Sequence, residues 1–249
     1  MVMPRHMDLM PALQMHTKVF SLGTLMRLAC AYPVALTLLG IIFCIGCLGL
    51  VFIEITDEVL EGESDPIDRA ILMWLRPSDP PRWLLELVRD ITALGGAFML
   101  TLWVAVTSLF LAFSGRVRAC AFVVAAAGTG MLMSTGLKLI FNRDRPDVIA
   151  HDLYVATASF PSGHAMLSAV VYLTLGALIS ELVRPVWQKL YIVGVAAFLT
   201  GLVGFSRIYL GVHWPTDVLA GWAAGAAWAV AAWGLARFVF APDQRCTAR

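Results

Sequence analysis

The chain has 249 residues, of which 59% are hydrophobic and 14% charged, with a formal net charge of +1 and a mean hydropathy of +0.79. Soluble domains carry about a quarter charged residues, so this composition excludes the ordinary soluble class and points to a membrane protein. A net charge this close to zero also excludes a nucleic-acid surface, which needs a basic face.

Apolar runs near the length of a bilayer crossing predict six spans: Pro33–Ile53, Gly95–Phe113, Ala119–Phe141, His164–Val183, Leu190–Tyr209 and Thr216–Phe240. The expected fold is therefore all-α, a six-span transmembrane bundle forming a single domain over residues 1–249. The first run starts too late for an ordinary signal peptide, and no small-residue cleavage site follows it, so it is expected to remain as an anchor. The cysteines, Cys30, Cys44, Cys47, Cys120 and Cys246, are odd in number and mostly lie in or beside apolar runs. They do not form a disulfide framework. The Cys44/Cys47 pair has no βαβ context for redox work and is expected to pack against another helix.

Between the first two spans, Glu54–Asp90 reads as the one sizeable loop, and its first half is acidic. Ser64-Asp65-Pro66 is a plausible helix start, with a capping side chain and a proline in the first turn. Two short amphipathic helices are expected, Ile67–Arg76 and Arg82–Arg89, separated by Pro77, Pro80 and Pro81. Trp74 and Trp83 would sit at headgroup depth. A packed lid and a substrate gate both stand as roles for this segment.

Orientation follows from Lys and Arg near the span ends. Arg5, Lys18, Arg27, Arg116, Arg118, Arg184, Lys189, Arg237, Arg245 and Arg249 fall on one side; Arg69, Arg76, Arg82 and Arg89 fall on the other. Lys138, Arg143, Arg145 and Arg207 belong to polar clusters and are set aside. The imbalance puts both termini in the cytoplasm and the clusters on the opposite face.

Three polar clusters interrupt the apolar background. In the first, Lys138 stands seven residues before Arg145-Pro146. A continued helix would put both cations on one face, whereas a stop before Pro146 would swing Arg145 back over the site. In the second, Pro161-Ser162-Gly163-His164 opens the fourth span. Ser162 is a candidate N-cap, Gly163 permits close backbone approach, and the first-turn amides form an anion seat. In the third, Ser206-Arg207 precedes His213, and Asp217 lies four residues further on. Asp217 there can take a proton-bearing nitrogen of His213 and fix its tautomer. Arg207 offers a planar fork for two phosphate oxygens. The duller readings are a snorkelling lysine, a capped helix and a structural Arg–Asp pair.

Taken in order, Lys-x6-Arg-Pro, Pro-Ser-Gly-His and Ser-Arg-x5-His-x3-Asp resemble the type 2 phosphatidic acid phosphatase (PAP2) superfamily, whose core is shared with vanadium haloperoxidases. The resemblance covers residues 138–217. It implies His213 as nucleophile, Asp217 as its orienting partner and His164 as the acid at the leaving oxygen. Lys138, Arg145, Ser162, Gly163 and Arg207 would hold phosphate. It also implies a metal-independent reaction without cofactor on a membrane lipid phosphate. The favoured substrate is undecaprenyl pyrophosphate at a bacterial inner membrane, with phosphatidylglycerophosphate, phosphatidate, lipid A or phosphotransfer as alternatives. A non-catalytic lipid-phosphate binder or transporter is the contrasting class, and it would not need both histidines. The division between a neutral His213 and a protonated His164 predicts a bell-shaped rate–pH profile; a rate that stays flat from mildly acidic to alkaline pH would contradict those roles.

Overall fold

The structure, a computed structural model, describes residues 33–76, 79–147 and 157–240. Arg5, Lys18, Arg27, Arg245 and Arg249 of the orientation argument, together with Cys30, Cys246 and Pro77, lie outside the described residues. The chain divides into two compact units, Met1–Leu39 and Gly40–Arg249, and every motif residue falls in the second.

Eight helices follow one another in the described residues: α1 Pro33–Glu61, α2 Asp65–Leu75, α3 Arg82–Ala93, α4 Ala97–Phe113, α5 Val117–Phe141, α6 Gly163–Ser180, α7 Val186–Tyr209 and α8 Pro215–Val239. Five of them (α1, α5, α6, α7 and α8) are long and apolar enough to cross a membrane. A sixth span arises if α3 and α4 are joined across the 42° bend between them.

Two expectations need correction. Glu54–Glu61 is not loop: α1 continues through it, because nothing in Glu54-Ile55-Thr56-Asp57-Glu58-Val59-Leu60-Glu61 breaks a helix before Gly62, which turns the chain at φ +74°. Cys44 and Cys47 are not buried against another helix among the described residues. Both are free and exposed on α1, which is the least enclosed of the candidate spans.

The bundle is centred on α6. All 18 of its residues form its apolar stretch and 56% of them are buried, against 6% of the corresponding stretch of α1. Within it, Ala169–Leu173 is π-helical. Helices α7 and α8 pack along α6, and α5 closes a further side while pairing with α4. The α6–α8 contact is close because both faces are small. A Cβ on Gly225 would lie 2.5 Å from the Met166 carbonyl oxygen, and one on Gly221 would lie 2.8 Å from that of Ser162. Membrane helices associate through such small-residue faces, since lipid supplies no hydrophobic drive.

The amphipathic pair forms as expected, with α2 starting at Ser64-Asp65-Pro66. Ser64 makes no side-chain cap there; its hydroxyl accepts from Arg143 instead. Leu72 of α2 is buried with Ala165, Ile208, Trp214 and Val218, so α2 lies on the ends of α6, α7 and α8. Trp74 and Trp83 turn outward, 82% and 65% exposed, as interfacial indoles would. Helix α3 buries Val88 against Tyr209, Leu210 and Val212.

Gly225→Ala should lower the thermal unfolding midpoint in detergent, since rigid backbone meets the added methyl and overpacking of this kind costs about 1–3 kcal/mol. Gly46→Ala, whose Cβ would meet nothing within 4 Å, should leave the midpoint unchanged.

Candidate active site

All eight residues proposed for the site gather at one end of the bundle. Helix α5 stops at Phe141, and Asn142 takes the left-handed conformation at φ 37°. That turn decides between the alternatives for the first motif: the helix ends, and the chain carries Arg145 back over the helix ends. Arg145 donates from Nη1 to the Val212 carbonyl at 2.6 Å and from Nε to that of Thr157 at 3.0 Å. Lys138, in the last turn of α5, donates to the Ala158 carbonyl at 3.1 Å.

Gly163 makes room for that lysine. A Cβ at position 163 would stand 3.3 Å from Lys138 Cε, so the glycine lets the ammonium lie against the first turn of α6. The second and third motifs are joined directly, because the Ser162 amide donates to the Asp217 carbonyl at 2.9 Å. Ser162 occupies the N-cap position of α6, but its hydroxyl makes no capping bond. It is buried and, among the described residues, has no partner. Arg207 Nε is likewise buried without a partner among the described residues, while its Nη1 donates to Thr92 Oγ1 of α3 at 3.1 Å. Two phosphate-binding candidates therefore hold open donors.

His213 is buried between Asp217 and Arg145. Its Nδ1 lies 3.3 Å from Asp217 Oδ2, and its Nε2 lies 3.3 Å from Arg145 Nη1. A guanidinium can only donate, so Nε2 must present its lone pair, and Nδ1 carries the proton, which faces Asp217 Oδ2 and, also at 3.3 Å, Ser159 Oγ. Burial pushes His213 down to about 3, with the Asp217 hydrogen bond and charge opposing that shift and Arg207 and Arg145 adding to it. The ring is thus a neutral imidazole with a free electron pair on Nε2. His164 stands within electrostatic reach of Arg207, His213, Lys138 and Arg145.

Asp217 is saturated. Oδ2 accepts from the Trp214 amide at 2.9 Å, from His213 and from Ser159 Oγ, and Oδ1 accepts from Arg143 Nη1 at 2.9 Å. Among the described residues no carboxylate pairs with Lys138, Arg145 or Arg207 within 4.0 Å. The site thus concentrates positive charge beside a neutral imidazole. Such an arrangement can bind a multiply charged anion and attack it.

Sequence reasoning missed four contributors. Arg143, which the sequence places among the polar clusters without a role, bridges Asp217, Thr216, Ser64, Asp65 and Asp68. Burial opposes its charge, but Asp217 and Asp68 outweigh that and raise it overall. Asp68 is fully buried and accepts from the Thr216 amide at 3.1 Å and from Arg143 at 3.1 Å. Burial raises it, against the hydrogen bonds from Thr216 and Arg143. Ser159 and Thr92 complete the group. One signal was available: Asp68 and Leu72 are four apart and share a helix face, so an acid stood on an apolar stripe.

The model of the PAP2 superfamily matches residues 118–240. Phosphatidylglycerophosphatase B of Bacillus subtilis is 31% identical over 169 residues, 68% of this chain and 80% of that protein. The chain belongs to the PAP2 superfamily. An undecaprenyl-diphosphatase of Sulfolobus acidocaldarius is 31% identical over 128 residues, 49% of this chain and 58% of that one. A crystal structure of a transmembrane PAP2-type phosphatidylglycerolphosphate phosphatase from B. subtilis superimposes with a TM-score of 0.73 at 27% identity, covering 79% of this chain and 98% of its own. The structure of Aquifex aeolicus LpxE shares the fold, with a TM-score of 0.51 at 23% identity over 66% and 92% of the two chains. The protein is a multi-pass membrane PAP2-type lipid phosphate phosphatase, a hydrolase. The binder or transporter alternative gives way to that.

In the ligand-free protein, His213 should give the nitrogen signals of a neutral Nδ1–H imidazole at about pH 5, because a base held this low is protonated only as pH falls toward its own pKa. Nitrogen-15 spectra showing a half-protonated ring near neutral pH would overturn the assignment.

Proposed function

We propose that this phosphatase removes phosphate from a lipid phosphate or pyrophosphate through a phospho-histidine on His213. In the first step Nε2 attacks phosphorus, the bond from phosphorus to the leaving oxygen breaks, and His164 donates the proton that oxygen needs. In the second, His164 takes a proton from water, whose oxygen attacks phosphorus as the bond from phosphorus to Nε2 breaks, so that phosphate leaves and His213 returns to its neutral state. Asp217 holds Nδ1–H and stabilises the charge that develops on the ring. Lys138, Arg145, Arg207, the Ser162 hydroxyl and the Gly163 amide hold the phosphoryl oxygens, so the route is proposed to run without a metal. Phosphoryl transfer depends mostly on positioning and on neutralising spread negative charge.

The observation that carries this reading is the orientation of His213, with its Nδ1 proton turned to Asp217 and Ser159 and its lone pair facing a guanidinium. A phosphate that takes Arg145 for its own oxygens would release that lone pair for attack. The two buried open donors, on Ser162 and Arg207, support the same site.

Undecaprenyl pyrophosphate is the substrate we favour, in line with the relative named for that activity. Phosphatidylglycerophosphate is the second reading, because the relative named for it aligns over more of the chain. We place the reaction at the extracytoplasmic face of a bacterial inner membrane with both termini cytoplasmic, on the lysine and arginine bias.

Purified protein in detergent should release phosphate from both lipids with chelator present, and faster from the polyprenyl pyrophosphate. A strict requirement for added divalent metal would refute the mechanism, and a preference for phosphatidylglycerophosphate would transfer the reading to the second lipid. His213→Ala should lose roughly a thousandfold or more in kcat while still binding a phosphate analogue.

A further inference from the structure

We propose that Asp68 is a positioning residue for this reaction: through Arg143 it holds the Asp217 carboxylate against His213, making α2 a fixed strap over the site rather than a moving gate. The inference rests on the His213–Asp217 reading above.

Asp68 stands where an apolar residue would pack more cheaply. It is fully buried on the face of α2 that also buries Leu72. A buried carboxylate costs several kcal/mol of desolvation, and a buried ion pair is often no more stable than an apolar replacement. Fold stability alone therefore gives weak grounds for an acid there. Its contacts all lead to the catalytic turn. Oδ1 accepts the Thr216 amide at 3.1 Å, and Oδ2 accepts the Thr216 hydroxyl at 2.5 Å and Arg143 Nη2 at 3.1 Å. Thr216 is the residue before Asp217, and its amide is one of the free donors of the first turn of α8.

Arg143 joins the two acids. Its Nη1 reaches Asp217 Oδ1 at 2.9 Å and Thr216 Oγ1 at 2.8 Å, while its Nη2 faces Asp68 and Asp65. Its guanidinium also lies over the Trp214 ring, 5.4 Å from the centroid. The Asp217 carboxylate is consequently gripped from opposite oxygens: Oδ1 by Arg143, and Oδ2 by the Trp214 amide, Ser159 and His213. Without the first grip, the carboxylate is free to rotate about its terminal torsion, and the Nδ1–H bond that aims His213 weakens. Asp68 keeps Arg143 in place for that task.

The remaining contacts of α2 are those of a strap. Arg69 pairs with Asp147 at 3.3 Å and lies 5.4 Å from the Trp214 centroid, and Arg76 donates to the Leu210 carbonyl at 3.3 Å. The helix is thus tied to the chain just after Arg145-Pro146, to the His213–Asp217 turn, and to the loop between Arg207 and His213. A gate would have to break all three ties, along with the burial of Leu72, on every turnover.

Asp68→Asn keeps the volume and the acceptor toward Thr216 but removes the charge that holds Arg143. It should lower kcat between about 10- and 100-fold, the scale of a small misplacement in an active site, with KM within about threefold. In a double-mutant cycle, Asp68→Asn should cost little further once Arg143→Gln is present, because residues acting as a unit are not additive. A kcat within twofold of the parent, a KM rise at constant kcat (the signature of a gate), or additive losses in the cycle would overturn the proposal. If Asp68→Asn does not fold, Arg143→Gln alone removes the bridge between Asp68 and Asp217 and decides on the same split of kcat against KM. His213→Ala separates the two ideas. Turnover surviving in that variant sinks the underlying mechanism, whereas a dead His213→Ala beside a fully active Asp68→Asn sinks only the strap.

Discussion

Everything at the functional end of this protein depends on one buried carboxylate. Asp217 lies in the first turn of α8, where the amides of the helix start are free. Its oxygens tie together the Trp214 amide, the His213 ring, the Ser159 hydroxyl and the Arg143 guanidinium. An anion is tolerable there because the helix start and Arg143 both favour negative charge. The same carboxylate fixes the tautomer of His213, so one group sets both the local architecture and the chemistry.

Charge around it is arranged asymmetrically. Arg143 is matched by Asp65, Asp68 and Asp217, and is structural in its surroundings. Lys138, Arg145 and Arg207 have no carboxylate within pairing distance among the described residues and meet mostly carbonyl oxygens, which a phosphate can replace. Two populations of cations thus stand side by side, one matched by carboxylates and one that meets none among the described residues. Sequence spacing does not separate them, because Arg143 and Arg145 are only two residues apart. Their partners separate them.

The packing of the bundle serves the same end. Small faces on α6 and α8 bring the Ser162–His164 turn and the His213–Asp217 turn into direct backbone contact, through the Ser162 amide and the Asp217 carbonyl. Helices α2 and α3, laid across the bundle end, then supply Asp68 and Thr92 from a part of the chain far from the motifs. The amphipathic segment that looked like an appendage is part of the site's wall.

Much of this was legible in the residues themselves. Hydropathy is additive along the chain, so it revealed an all-α membrane bundle and nearly all its crossings. The order Lys138, Arg145, Ser162, Gly163, His164, Arg207, His213 and Asp217 revealed the family and the candidate site, because a group that needs fixed spacings leaves them in sequence. Helix limits were less accessible: the acidic Glu54–Glu61 stretch is polar yet unbroken, and only Gly62 stops it. The partners of Asp68, Arg143, Ser159 and Thr92 were not accessible. A hydrogen bond from Thr216 to Asp68 joins residues 148 apart in the chain, and no local pattern encodes it. The sequence alone determined the membrane class, the family motifs and the residues that form the candidate site. Tertiary structure decided which cations are matched by carboxylates and which are not, because that depends on which charges folding brings within a few ångströms of each other.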